Sequence, residues 1–308
     1  MASNANRDMG TGSVKKLMVQ MAVPALVGQV VNLLYNVVDR IYIGHIPEIG
    51  GLALTGVGLF TPILMLITAF SMCQTMFCVL PCPWNIWDED AKDYMLLFLP
   101  FIGLEIGLIW TLLSLLTTYL AVPELVRGII LCAYPFLITG FIHLDGFMDV
   151  SDAIGSCRSL ERRREILKDS HVGAFAVIGI VLLMLAQFAF FAAVPENADY
   201  RILLFVPAIS RCGSSLAVTV LKPMNTSQYA AQKKPKSHVA VLLAMTAAFL
   251  AAGFLLCSRY GFVLLGGMAG YSLALRKAYK SLEGMNGDIS GYALTISELC
   301  AGAVFAIL

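Results

Sequence analysis

The stretch VGAFAVIGIVLLMLAQFAFFAAV, residues 172–194, runs without an ionisable side chain. In a helix rising about 1.5 Å per residue, about 20 such residues cross a hydrocarbon core roughly 30 Å thick. Open strands at that depth would leave backbone groups unpaired at several kcal/mol each, so the stretch reads as a transmembrane helix. Comparable apolar runs fall at about 17–38, 52–80, 94–121, 124–143, 201–221, 238–257, 260–279 and 290–308. Together they predict an all-α, polytopic integral membrane bundle of about nine transmembrane helices. Breaks or re-entrant turns are expected near Pro81, Pro83, Pro100 and Gly146.

Composition agrees with this reading. Of 308 residues, 58% are hydrophobic and 13% charged, and the mean hydropathy of +0.79 is far above that of a soluble globule. A net charge of +1 excludes an extended nucleic-acid surface, which needs a concentrated Lys/Arg excess. The eight cysteines are scattered, mostly inside apolar runs, and lack the paired short spacings of a zinc site. They read as small core residues. Met1–Gly12 is polar and has no apolar segment leading to a small-residue cleavage site, so it does not read as a secretory signal.

Lys and Arg in short loops set the expected orientation. One cluster, Lys15 and Lys16, precedes the first run, and a second, Arg158, Arg162, Arg163, Arg164 and Lys168, follows the fourth. Lys222, Lys233, Lys234 and Lys236 follow the sixth, and Arg276, Lys277 and Lys280 follow the eighth. A cytoplasmic N-terminus puts all four clusters inside a cell (inner or plasma) membrane. Arg40 and Arg259 fall on the other side. The same parity places the acidic turn 84–90 and the inner end of the fourth run in the cytoplasm.

That inner end carries the chemistry. In His143-Leu144-Asp145-Gly146-Phe147-Met148-Asp149-Val150-Ser151-Asp152, three aspartates stand at i, i+4 and i+7, one face of a helix. Carboxylates so close repel unless a cation lies between them. Magnesium takes one or two carboxylates and keeps positions for water and substrate phosphates, so the spacing points to phosphoryl transfer. An acidic helix end reaching to water is the plainer alternative. Downstream, Arg162, Arg164 and Lys168 offset the Glu161, Glu165 and Asp169 charges, either as a surface helix or as a phosphate clamp with Asp169 a further metal ligand. Arg211 lies in the sixth apolar run and asks for a polar cavity or a carboxylate. Asp288 and Glu298 are accessory acids near the last run, and Glu105 lies in the third. Walker, dinucleotide, HExxH and nucleophile-elbow motifs do not occur.

Residues 71–308 resemble cobalamin synthase, the adenosylcobinamide-GDP ribazoletransferase family. The likeness begins just before them, at Ala69-Phe70-Ser71-Met72, and continues through Phe98–Gly103, His143–Asp152, Arg164–Gly173, Gly287–Gly291 and Ser297-Glu298. The resemblance implies a magnesium-dependent transfer in late cobalamin biosynthesis. Adenosylcobinamide-GDP gives its phosphocobinamide portion to alpha-ribazole or its 5′-phosphate, and GMP leaves. It implies that Asp145, Asp149, Asp152 and Asp169 hold Mg2+, with Asp145 and His143 catalytic and Arg162, Arg164, Lys168 and Arg211 holding phosphates. Membrane lipid and other corrinoid-assembly enzymes are the implied surroundings. Ala153 stands where the family has glycine, and 225–229 matches the family's arginine segment poorly.

Residues 1–70 look different. Val23–His45 and Leu52–Gly58 resemble the opening of a multidrug and toxin extrusion transporter. Two helices cannot form an alternating-access pathway, so the head reads as a fused two-helix anchor, a recombination product or a mispredicted gene. A cation-coupled transporter fragment and an inactive fusion are the alternative readings.

Overall fold

A computed structural model describes residues 14–83, 87–195, 197–224 and 235–308. Met1–Gly12, residues 84–86 of the acidic turn, Lys233, Lys234 and the 225–229 stretch lie outside the described residues. Among the described residues, every regular element longer than one bridge is a helix. The chain is a multi-pass membrane protein.

Two compact units are present, Met1–Leu64 and Met65–Leu308. The first holds α1 (Val14–Gly44) and the opening of α2 (Gly50–Phe77). They are joined by a turn in which Glu48 takes a left-handed φ of 66°. Leu33, Leu34, Tyr42, Leu52 and Leu59 point outward, an apolar surface suited to lipid.

The second unit contains α3 (Lys92–Tyr119), α4 (Glu124–Ile138), α5 (Ile142–Gly155), α6 (Leu160–Ile166), α7 (Ala174–Ala193), α8 (Val206–Val220), α9 (Lys236–Cys257), α10 (Phe262–Leu282) and α11 (Gly287–Ile307). Helix α11 lies at the centre, against α5, α7, α8 and α10. Side-chain chemistry explains that choice. Helix α8 carries Ser210, Arg211, Ser214 and Ser215, and α11 carries Ser290, Thr295, Ser297 and Glu298, all buried. Lipid offers these groups no partner, so they bond inside the bundle: Ser210 and Arg211 to Glu298, Ser214 to Ser290, and Ser215, Thr295 and Ser297 to backbone carbonyls of α3, α5 and α10.

Pro100 does not break its helix. It lies inside α3, and the Leu96 carbonyl that its missing N–H would have bonded accepts from Ser215 Oγ at 2.7 Å. Pro135 in α4 is handled in the same way, with Trp110 Nε1 donating to the Leu131 carbonyl at 3.0 Å. Nor is Gly146 a break; it is inside α5, which packs there against the backbone of Asp288. Helix α2 ends at Phe77, ahead of Pro81 and Pro83.

The break falls instead in the expected fourth span. Helix α4 stops at Ile138, and α5 leaves at 91° to it. Phe141 N–H bonds the Phe136 carbonyl and Gly140 N–H the Leu137 carbonyl, a Schellman ending. Gly140 has φ 59°, which its missing Cβ permits, and Phe141 follows at φ 63°, where its own Cβ carries a steric cost. Average hydropathy across 124–143 does not register this turn.

Seven helical stretches are long and apolar enough to cross a membrane, or eight with the bent α4–α5 pair as one span, against the expected nine or so. The difference lies in Lys236–Leu282, whose 47 residues, α9 and α10 together, count as one stretch here and as two runs in the sequence reading. It is interrupted at Ser258, φ 50°, where the Phe254 and Phe262 rings meet edge-on at 5.3 Å.

Candidate functional site

Helix α5 presents two chemically opposite faces. Leu144, Phe147 and Val150 are buried against the bundle, and the Phe147 ring stacks on Tyr292 of α11. Asp145, Asp149 and Asp152 lie on the other face, Asp145 exposed and the other two half-buried. The segment after α6 folds over this face and closes a cavity of about 310 Å³ bounded by all three aspartates with Lys168, Asp169 and His171. Contact is close: a Cβ added at Gly173 would overlap the Asp152 carboxylate. Asp169 accepts from the His171 backbone N–H at 3.0 Å, and its carboxylate lies 2.7 Å from His171 Nδ1. Those bonds hold its carboxyl below the usual carboxylate range, so it is charged at neutral pH.

A second cavity, about 460 Å³, adjoins the first, with Leu167 and Lys168 common to both. Arg164, Lys222, Glu283, Asn286 and Asp288 line it. Arg164 is fixed by the end of α10, donating to the carbonyls of Leu282 at 3.0 Å and Glu283 at 2.9 Å. Asn286 caps α11, accepting from Ile289 N–H at 3.0 Å and donating to Asp288 at 2.6 Å. Lys222 is held at the rim by a short bridge in which Met285 N–H bonds the Lys222 carbonyl and Met224 N–H the Met285 carbonyl.

The donor set suits a hard cation, because the anionic groups lining the first cavity are carboxylates with no thiolate among them. Among the described residues, no three His, Cys, Asp or Glu side chains converge on one metal-sized point.

Other expected residues lie elsewhere. His143 is on the far face of α5, buried, with its ring stacked on Phe77 at 6.1 Å; it does not border the carboxylate cavity. Two residues along a helix are separated by about 200°, so His143 and Asp145 point to opposite sides. Arg211 and Glu298 bond each other at 2.8 Å in the interior, and neither lines either of the two cavities described above. Arg162 is exposed and pairs with Glu165 at 2.6 Å. Glu105 accepts from Gln74 at 3.2 Å. Lys222 had counted only as a loop charge, although a cation just past a helix C-terminus followed by Pro223 was the signal available.

Residues 66–306 match the family model described as Cobalamin-5-phosphate synthase. The chain belongs to the cobalamin-5-phosphate synthase family. It is similar to the adenosylcobinamide-GDP ribazoletransferase of Clostridium perfringens (strain SM101 / Type A), 38% identical over 251 residues, covering 78% of this chain and 98% of that protein. The protein of the same name from Clostridium botulinum (strain Alaska E43 / Type E3) is 34% identical over 239 residues, 76% of this chain and 95% of the relative. That of Corynebacterium diphtheriae is 28% identical over 240 residues, covering 74% and 88%. Family membership makes the chain a transferase of cobalamin biosynthesis. No solved structure matches. None of these matches supports the transporter-like reading of the first 70 residues.

Proposed function

We propose that the chain joins adenosylcobinamide-GDP to alpha-ribazole or its 5′-phosphate, releasing GMP, and that the two adjoining cavities on the α5–α6–α11 face are where it does so. The observation that carries this reading is the meeting of a carboxylate cavity with a cationic one at Lys168. A diphosphate needs cations along its length, and an attacking hydroxyl needs a base at its end.

Arg164, Lys168 and Lys222 hold the diphosphate of adenosylcobinamide-GDP. Arg164 arrives preorganised, because the Leu282 and Glu283 carbonyls already fix its guanidinium. Asp145, the most exposed of the three aspartates, takes the proton from a ribazole hydroxyl. The hydroxyl oxygen bonds the phosphorus attached to cobinamide, the bond from that phosphorus to the bridging oxygen breaks, and GMP departs with the electron pair. One or two of Asp149, Asp152 and Asp169, which border the same cavity, would hold Mg2+, which when bound offsets diphosphate charge. The clustering of Lys and Arg in the loops on this side supports an active site facing the cytoplasm from a cell membrane.

The test is product formation by purified protein in lipid, with and without magnesium and with Asp145→Ala alongside. Corrinoid product that needs metal and falls about 10²-fold or more in the variant is the expected result. Full turnover by Asp145→Ala would remove the carboxylate from the mechanism.

A further inference from the structure

A third cavity, about 790 Å³, opens beside the aspartates and is unlike the other two. Its walls are the 75–82 segment and the 139–142 turn, and Asp145 stands at its edge. Among the described residues, no Lys or Arg lines it. The side-chain hydroxyls on its walls already donate to backbone, Thr75 Oγ to the Ser71 carbonyl at 2.8 Å and Thr139 Oγ to the Pro135 carbonyl at 2.9 Å. Met76, Val79, Leu80, Phe141 and Ile142 supply an apolar surface.

Diphosphate has no counter-charge here, and a flat apolar ring loses nothing by entering. At about 790 Å³ the cavity lies within the roughly 300–1,000 Å³ range of small-molecule sites, room enough for a benzimidazole-like nucleoside. Residues 78–82 and 139–141 of these walls are irregular backbone, tied together by Val79 N–H donating to the Ile138 carbonyl at 2.9 Å. Non-helical backbone in a membrane protein survives where it lines a cavity, not where it meets lipid. These stretches therefore line a cavity instead of lipid, and Asp145 joins it to the carboxylate cavity.

Resting on the transferase reading above, we propose that this third cavity takes the benzimidazole-like ring of alpha-ribazole and presents its ribose to Asp145. The acceptor then enters on one side of Asp145 and the diphosphate lies on the other. Ring recognition and phosphate recognition are separate, and Val79 sets the fit of the ring.

Val79 is 57% exposed, so a larger side chain there fills the cavity without entering the core. Binding of alpha-ribazole alone and of adenosylcobinamide-GDP alone would be measured by calorimetry on the full chain in lipid nanodiscs, for the unaltered protein, Val79→Trp and Lys168→Ala. The proposal expects Val79→Trp to weaken alpha-ribazole binding about tenfold or more and to leave adenosylcobinamide-GDP within about twofold, with Lys168→Ala doing the reverse. Retained adenosylcobinamide-GDP binding shows that Val79→Trp is folded. If Val79→Trp weakens adenosylcobinamide-GDP instead, the guanine or corrinoid occupies the cavity and the proposal is overturned. It is equally overturned if neither ligand is affected by Val79→Trp, as for a cavity filled by lipid, or if the unaltered protein does not bind alpha-ribazole. Binding needs no turnover, so a protein that binds as expected but forms no product counts against the transferase reading alone.

Discussion

Ser215 on α8 donates to the backbone carbonyl of Leu96 on α3 at 2.7 Å, four residues before Pro100. The proline removes the N–H that would have bonded that carbonyl, and a hydroxyl from another helix replaces it. In hydrocarbon such a group has no water to turn to, so the two helices are joined where one of them is defective.

Ser215→Ala therefore leaves a buried carbonyl unpaired and should cost about 1–3 kcal/mol. Pro100→Ala restores the N–H, so the double variant Ser215→Ala/Pro100→Ala should regain most of that loss. Denaturant titration of the solubilised protein measures all three. Equal stability of the single and double variants would mean that the serine bond and the proline are unconnected.

The three aspartates of α5 were legible in the sequence because their spacing is a local helical fact, true wherever α5 points. The turn that aims them was not. Gly140 sits in an apolar run whose average conceals it, and only the left-handed geometry of Gly140 and Phe141 shows that the span ends there. Pairings across long separations were equally hidden. Arg211 asked for a carboxylate, but nothing local chose Glu298, 87 residues on, over the aspartates. Leu96 and Ser215 are 119 residues apart and meet through a carbonyl, which a sequence does not display.

Gly173 and Asp152 give a second prediction. Gly173 has ordinary extended backbone, φ −91° and ψ 171°, so alanine is tolerated conformationally. Its Cβ would still displace the Asp152 carboxylate. Gly173→Ala should lower kcat about tenfold or more while changing stability by under about 1 kcal/mol, since the strain falls on a side-chain end. Undiminished kcat at saturating magnesium would show that the position of Asp152 does not matter to the reaction.

Arg164 and Lys168 border the same cavity but are held differently, and their variants should differ accordingly. Arg164 closes α10 through two carbonyls, a planar fork that lysine cannot reproduce. Arg164→Lys should lower both the thermal midpoint and the affinity for adenosylcobinamide-GDP. Lys168 is exposed and makes no comparable cap. Lys168→Ala should raise KM for adenosylcobinamide-GDP about tenfold with the thermal midpoint unchanged. Matching thermal losses in the two variants would contradict this division.

The Arg211–Glu298 pair separates a structural role from a substrate role. Both side chains are almost wholly buried, 1% and 5% exposed, and Ser210 Oγ donates to the same Glu298 oxygen at 3.1 Å. Removing one partner strands the other charge, so Glu298→Ala should cost about 3–5 kcal/mol. Replacing both by apolar residues of similar length removes the desolvation cost together with the attraction. Arg211→Met/Glu298→Leu should therefore be near neutral or more stable than the original. If Arg211 is a structural partner, as its burial argues, that double variant keeps the KM for adenosylcobinamide-GDP. A tenfold rise in that KM in a stably folded double variant would return Arg211 to the phosphate-binding role its charge first suggested.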